Sequence, residues 1–486
     1  MGTSTAKTSV RGTLWSMIER VSTMGVQLLC TLAIAQYLPP SEFGLVGMMT
    51  IFIAFSLILV DSGFGQAIIR EQNVSQNDYS SIFFFNIGLG GAAYLLMFVC
   101  APLIAAFYAE PQLTVLLRVD FIAVVCQAFC VVQMAQLYKS VNFARVSKVS
   151  LISVVLSGII GIVTAVIRHD VWALIAQNVS YAFIRSALFW LFSSWRPSME
   201  FRWTNIRKYL RFSMNLLASR LIAALTDNAP NLFIGKSFTA ADLGNYTVPN
   251  KLQTSVAGTI SFAIHRVSYP VMATFQNDLE HLRSYSQNVV GMAFYIIAPI
   301  MVLMMIESRD LFTVILSDEW LMAAEYFRYL CVIGALFCFA DINMDILLVR
   351  NKADLVLKIE IVRKTLFVAA LVVGIMFDMQ TLLVLLVAWN LLNALFVSFF
   401  SGREIDCPLT QQLRNIGNTL FCLLLTGSAT LLCSKVLPLG ALGKLVVCCL
   451  VGATVYLLAS YLLHNRNLQF LREHVLQPTL TKNDAS

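Results

Sequence analysis

Arg20 and Arg220 stand 200 positions apart, each inside a long apolar run and each 24 residues before a glycine, Gly44 or Gly244. A guanidinium matches phosphate oxygens in bidentate geometry, so this pair suits the grip of a diphosphate. The competing reading is structural: each arginine reaches back to lipid headgroups or pairs with a neighbouring helix. His265 and Arg266 extend the same basic character. Asp227, Asn228 and Asn231 fall at i, i+1 and i+4 beside Pro230, which stacks them on one side of a kinked helix. They suit sugar hydroxyls or a cation, or else they satisfy backbone groups that the proline frees. Asp341 and Asp345, one turn apart, suit a cation, and with Asp227 they are the candidates for ion coupling.

The elements that must position these groups are membrane helices. The chain has 486 residues, of which 58% are hydrophobic and 13% charged. A water-soluble exterior cannot be built from so few charges, so the surrounding solvent is lipid. Inside lipid a charge costs about 2.5–3.5 kcal/mol, and each one demands a partner, a wet cavity or a route to the surface. The opening "MGTSTAKTSVRGTLW" has no short apolar segment with a small-residue cleavage site, so no cleaved signal peptide is expected. The 11 cysteines are scattered through apolar runs without a CxxC pair and read as small core residues.

About 20 apolar residues are needed to cross the hydrocarbon core. Runs of this kind cover 13–37, 43–60, 82–107, 113–138, 148–167, 171–194, 212–235, 243–270, 289–316, 323–349, 355–376, 381–401, 413–434 and 441–464. With the N-terminus inside, the alternating segments, counted to within three residues inside each span end, place 20 basic residues on the cytoplasmic side and 4 outside. That asymmetry follows the positive-inside rule and puts both termini in the cytoplasm.

The longest basic loop, "SSWRPSMEFRWTNIRKYLRF", separates six spans from the next six. The second half repeats the punctuation of the first. "YLPPSEFGLV" is echoed by "SFTAADLGNY", "FYAEPQL" by "ILSDEWL", "VNFARV" by "VRNKADL" and "HDVWAL" by "FDMQTL". The acidic residue and glycine of the first pair are expected to close a short hairpin at the outer surface. An even number of crossings lets a duplicated unit insert in the same orientation, giving parallel repeats around a central cleft. The expected fold is all-α, with about 14 transmembrane helices. Residues 1–204 form one six-helix lobe and 205–404 the second; two additional helices and a cytoplasmic tail occupy 405–486.

Enzyme chemistry finds little support. There is no GxxxxGK[ST] phosphate loop, no Gly-x-Ser-x-Gly turn and no HxxxH pair. "GLGGAA" at 88–93 fits a dinucleotide fingerprint formally, but it lies inside a span and reads as small residues for close helix packing. No cofactor, metal or nucleic acid is implied.

Trp15, "LPPSEFG", "DSGFGQAIIR" at 61–70 and "NAPNLFIGKSFTAADLGNY" resemble the polysaccharide transporter group of bacterial oligosaccharide-lipid flippases. So do "YPVMATFQNDLEHLRSY" at 269–285 and "LSDEW" at 316–320. The likeness is to the colanic acid and O-antigen exporters, in a superfamily shared with MATE drug exporters and the lipid II flippase. It implies an undecaprenyl-diphosphate-linked oligosaccharide as substrate, moved across the bacterial inner membrane by alternating access for exopolysaccharide, capsule or O-antigen (lipopolysaccharide) assembly. It also implies partners among the polymerase and glycosyltransferases of the same pathway, with the protein itself a monomer. Relatives often carry an acidic residue at the third position of the "NAPN" segment; here that position is Pro230, with Asp227 one turn earlier. The alternative reading is a MATE-like, cation-coupled exporter of small molecules.

Overall fold

The computed structural model describes residues 2–471, with side chains from residue 19 to residue 469. Every regular element among the described residues is helical. The chain divides between Thr247 and Val248 into two compact units.

In the first unit the helices are α1 (Gly2–Ala35), α2 (Pro40–Asp61), α3 (Phe64–Arg70), α4 (Gln76–Tyr108), α5 (Leu113–Asp120), α6 (Ile122–Ala128), α7 (Val131–Lys139), α8 (Phe143–Arg168), α9 (Trp172–Phe192) and α10 (Trp203–Ser237). The boundary falls within α11 (Ala240–Thr274). Helix ends follow local chemistry. Ser75 accepts from the Asp78 amide while Asp78 accepts from the Ser75 amide, a reciprocal cap that starts α4. The Asn142 side chain caps α8 in the same sense. Left-handed residues stop α2 at Ser62, α4 at Ala109 and α8 at His169. Within the unit α8 packs on α1 and α9, α10 on α2 and α4, and α3 on α7.

In the second unit α14 (Leu321–Val349) is central. It follows α12 (Leu279–Ile306) and α13 (Ser308–Ile315) and packs on both. On its other sides lie α15 (Ala353–Gly374) and α16 (Met379–Glu404). The Asp278 side chain caps α12 by accepting from the His281 amide at 3.1 Å. The last helices, α17 (Leu409–Val436), α18 (Ala441–Leu462) and α19 (Arg466–Leu471), pack on this unit. α17 and α19 lie against α12, and α18 against α13. Tyr456 donates a hydrogen bond to the Tyr295 carbonyl at 2.8 Å, fixing α18 to α12.

Eight helical segments among the described residues are long and apolar enough to cross a membrane. A ninth is the bent pair Leu113–Ala128 and Val131–Lys139, with a bend of 41°. The protein is therefore a multi-pass, all-helical membrane protein. Three of the expected spans differ in shape from the sequence reading. The run at 113–138 is three short helices, α5 to α7. The run at 289–316 breaks at Glu307 between α12 and α13. The span expected to end at residue 60 continues through Gly63, at a positive φ of 72°, into α3. Of the "GLGGAA" glycines, Gly90 packs on Ala128, whose Cβ lies 2.8 Å from where a Gly90 Cβ would stand; Gly88 and Gly91 meet no neighbour within 4 Å.

The turn at 37–46 is a correction of role. Gly44 and Gly244 do not make the hairpin; both lie inside helices, α2 and α11. A Cβ on Gly44 would overlap the carbonyl of Ala240, and a Cβ on Gly244 would overlap the carbonyl of Pro40. The two helix starts cross backbone to backbone, and only glycine permits that approach. The acidic residues cap instead: Glu42 accepts from the Val171 amide at 2.9 Å, and Asp242 from the Thr239 hydroxyl at 2.7 Å.

Candidate functional site

Two groups of charged side chains lie on the long helices, one in each unit. In the first, Arg220 of α10 is ion-paired with Asp61, the last residue of α2. Their side chains are 33% and 28% exposed, so neither is fully solvated nor fully buried. α2 and α10 pack along each other, and this holds the carboxylate against the guanidinium. Arg20 is exposed on α1, one residue after Glu19, which accepts from the Ser150 hydroxyl of α8 at 3.0 Å.

Two turns past Arg220, Asp227 is exposed, and about three turns past it Pro230 is buried in α10. The Asn228 amide donates to the Ala224 carbonyl at 2.8 Å, a bond within its own helix. A proline has no N–H for the carbonyl four residues earlier, here Thr226. Asn228 therefore serves a different carbonyl from the one Pro230 frees. Asn231 is half-buried.

In the second unit the His265 Nδ1 lies 2.5 Å from an Asp345 carboxylate oxygen. The Asp345 side chain is 5% exposed and the imidazole 43%. Tyr269, one turn from His265, stacks on the imidazole at 5.8 Å with an interplanar angle of 28°. Asp341 is half-buried one turn before Asp345. On α15, Arg363 donates to Glu360 at 2.7 Å. Arg266 lies with its guanidinium carbon 5.7 Å from the Phe262 ring centre. A residue expected to bind substrate, His265, is thus paired with one expected to bind an ion.

The sequence reading missed Asp61, which falls one residue beyond the expected span 43–60. It missed Arg185 of α9 as well, which donates to the Gln127 side chain at 3.2 Å and lies 5.4 Å from the Phe189 ring centre. Asp120 of α5, 1% exposed, accepts from Asn178 of α9 at 2.7 Å. For Arg185 and Asp120 a charge inside an apolar run was the available signal, since every such charge demands a partner; Asp61, just past its run, gave none.

The model of a family described as polysaccharide biosynthesis protein matches residues 33–325, more than half of the chain. The chain belongs to that family. Among curated relatives, it is 27% identical over 82% of its length to the teichuronic acid biosynthesis protein TuaB of Bacillus subtilis (strain 168), covering 82% of that protein. It is 24% identical to the lipopolysaccharide biosynthesis protein WzxC of Escherichia coli (strain K12), over 75% of each chain. The succinoglycan biosynthesis transport protein ExoT of Rhizobium meliloti (strain 1021) is 23% identical over 65% of this chain and 64% of that one. Among solved structures, the lipid II flippase MurJ in an inward closed conformation superposes with a TM-score of 0.72 at 12% identity, over 95% of this chain and 100% of that chain. An inward-facing MATE family multidrug transporter of the MOP superfamily gives 0.60 at 15% identity, over 80% and 98%. This member of the polysaccharide biosynthesis family therefore shares the fold of those two solved structures.

Proposed function

We propose that the protein is a flippase that moves lipid-linked oligosaccharide units across the bacterial inner membrane for surface polysaccharide assembly. The observation that carries this is the family match over residues 33–325, which spans the charged α2–α10 pair. The lipid would be of the undecaprenyl diphosphate type, and the pathway's polymerase and glycosyltransferases would be the protein's partners. Fourteen spans arranged as lobes 1–204 and 205–404, followed by the two-helix segment 405–486, suit alternating access with both termini in the cytoplasm.

The reciprocal crossing at Gly44 and Gly244 supports the duplication behind that layout. Residue 44 meets 240 and residue 244 meets 40, so a shift of 200 turns one contact into the other. A two-fold relation between repeats generates contacts of this kind. Arg20, Arg220, His265, Arg266, Asn228 and Asn231 would face the diphosphate and sugars. Asp227, Asp341 and Asp345 would hold a coupling ion. The alternative of a cation-coupled exporter of small molecules has only the shared MATE-like fold behind it, and that fold serves both functions.

Deletion of the gene is expected to remove one surface polysaccharide and leave its lipid-linked precursor on the cytoplasmic leaflet. In vesicles, the purified protein is expected to flip a short polyprenyl-diphosphate-linked glycan. Unchanged surface polysaccharide together with increased sensitivity to small cationic drugs would overturn the reading in favour of the exporter.

A further inference from the structure

Near the basic end of α3 the first unit holds a polar cavity of about 400 Å³. That volume lies within the range of small-ligand clefts, about 300–1,000 Å³. Its wall combines Arg70, Gln72 and Asn73 with Lys208, Tyr209 and Phe212 of α10. We propose that this pocket binds an anionic saccharide, a sugar ring carrying a carboxylate or a phosphate, as the first contact with the glycan end of the substrate. The proposal rests on the flippase reading and adds the class of sugar that the protein recognises.

The pocket is preformed. Ala67 and Tyr209 in its floor belong to a buried apolar cluster with Phe64, Ile68, Phe83 and Ile206, which docks the start of α10 on α3 and α4. The loop from residue 71 to 73 is pinned from below: Lys139 donates through Nζ to the Glu71 carbonyl at 2.7 Å and to the Gln72 carbonyl at 3.4 Å. The Ser75–Asp78 cap fixes the far end of that loop. Ordering a loop before the ligand arrives removes part of the entropy cost of binding.

The chemistry of the wall selects the ligand. The Arg70 guanidinium lies 5.0 Å from the Phe212 ring centre, and the Lys208 ammonium lies 5.2 Å from that of Tyr209. A guanidinium stacked on a ring keeps its in-plane donors for a carboxylate or phosphate. The amides of Gln72 and Asn73 donate and accept, as a sugar hydroxyl requires. Both residues are exposed. Glu71 is the one carboxylate lining the cavity, set against Arg70 and Lys208, with Lys139 behind the loop. The excess of positive charge favours an anion over a neutral sugar.

The test uses the full-length protein in lipid nanodiscs and three probes followed by NMR titration: a glucuronic acid–containing disaccharide, its glucose counterpart and glucose 1-phosphate. At least one anionic probe is expected to bind about tenfold more tightly than the neutral one, the worth of one charge-assisted hydrogen bond. Arg70→Gln and Lys208→Gln are each expected to weaken that binding about tenfold, and Glu71→Gln to strengthen it. Preference for the uronate or for the phosphate decides which anion the pocket reads. Equal binding of the neutral disaccharide, no binding of either anion, or indifference to Arg70→Gln in a protein of unchanged thermal midpoint would overturn the assignment. Flipping by the wild type without saccharide binding would sink the pocket alone. Absence of flipping would sink the proposed function and leave the binding result to stand or fall by itself.

Discussion

At the scale of single residues, the Asp61–Arg220 pair joins two opposite charges across α2 and α10. A guanidinium already satisfied by a carboxylate is a weaker anion trap than a bare one. It is also a device that a diphosphate can compete for, since the two anions offer the same oxygen geometry. Removing either partner leaves a charge without its counterpart in a half-desolvated position. Such changes cost about 1–3 kcal/mol, and more when the orphan is charged. Arg220→Gln and Asp61→Asn are each expected to lower polysaccharide export several-fold at normal membrane abundance. The double variant is expected to restore stability, measured by the thermal midpoint in detergent, without restoring export. Full export by the double variant would reduce the pair to a structural tie. In the second unit, His265→Ala leaves the buried Asp345 carboxylate without its nearest partner at 2.5 Å. That change is expected to lower the thermal midpoint more than Arg266→Ala does.

At the scale of elements, the close crossing of α2 and α11 fixes how two helix starts meet. Leu243 is fully buried beside it, with its side chain 3.0 Å from where a Gly47 Cβ would stand. Gly44→Val cannot be accommodated without separating the backbones. In a cysteine-free background, Leu243→Cys is expected to react with an impermeant thiol reagent from outside far faster when Gly44→Val is present. Equal rates would mean that the crossing does not seal the outer side. The α12 cap offers a pH-dependent counterpart. The His281 amide and imidazole bound to Asp278 hold that carboxyl below its ordinary pKa, so the cap stabilises α12 above the unfolded value and is lost as pH falls through the depressed one. The difference in thermal midpoint between wild type and Asp278→Ala is therefore expected to be full at neutral pH and to vanish in strong acid. Much at this scale was legible in sequence: each apolar run coincides with helix, because lipid leaves the backbone few other ways to satisfy itself. The breaks at Ser62, Cys130 and Glu307 were not, because a left-handed residue or a bend depends on packing and not on hydropathy. Nor was the function of Gly44, whose partner backbone lies almost 200 residues away.

Considered as a whole molecule, the chain carries its polarity unevenly. Among the described residues, the helices α9, α10, α11 and α15 each have 21 residues or more, yet none is among the segments apolar enough to cross a membrane unaided. These are the helices that bear Arg185, Arg220, His265 and Arg363. The sequence announced the charges but not their pairings, since Asp61 with Arg220 and His265 with Asp345 are set by helix packing. The topology itself is testable on exposed positions. Cysteines replacing Gln112 and Gln380 are expected to react with an impermeant reagent added outside, whereas cysteines replacing Ser140 and Met199 are expected to stay protected. Ser140 and the 95% exposed Met199 are open to solvent, so protection there reports sidedness and not burial. A single inverted site would break the fourteen-span arrangement. The Asp61–Arg220 pair also has a history in time. Asp61 leaves the ribosome 159 residues before Arg220, a delay of roughly 10–30 s at ordinary elongation rates. Throughout that interval the nascent first helices hold a carboxylate whose counterion has not been made. The contact between α2 and α10 at this pair therefore closes only late in the synthesis of the first unit, after every helix from α3 to α9 has been made.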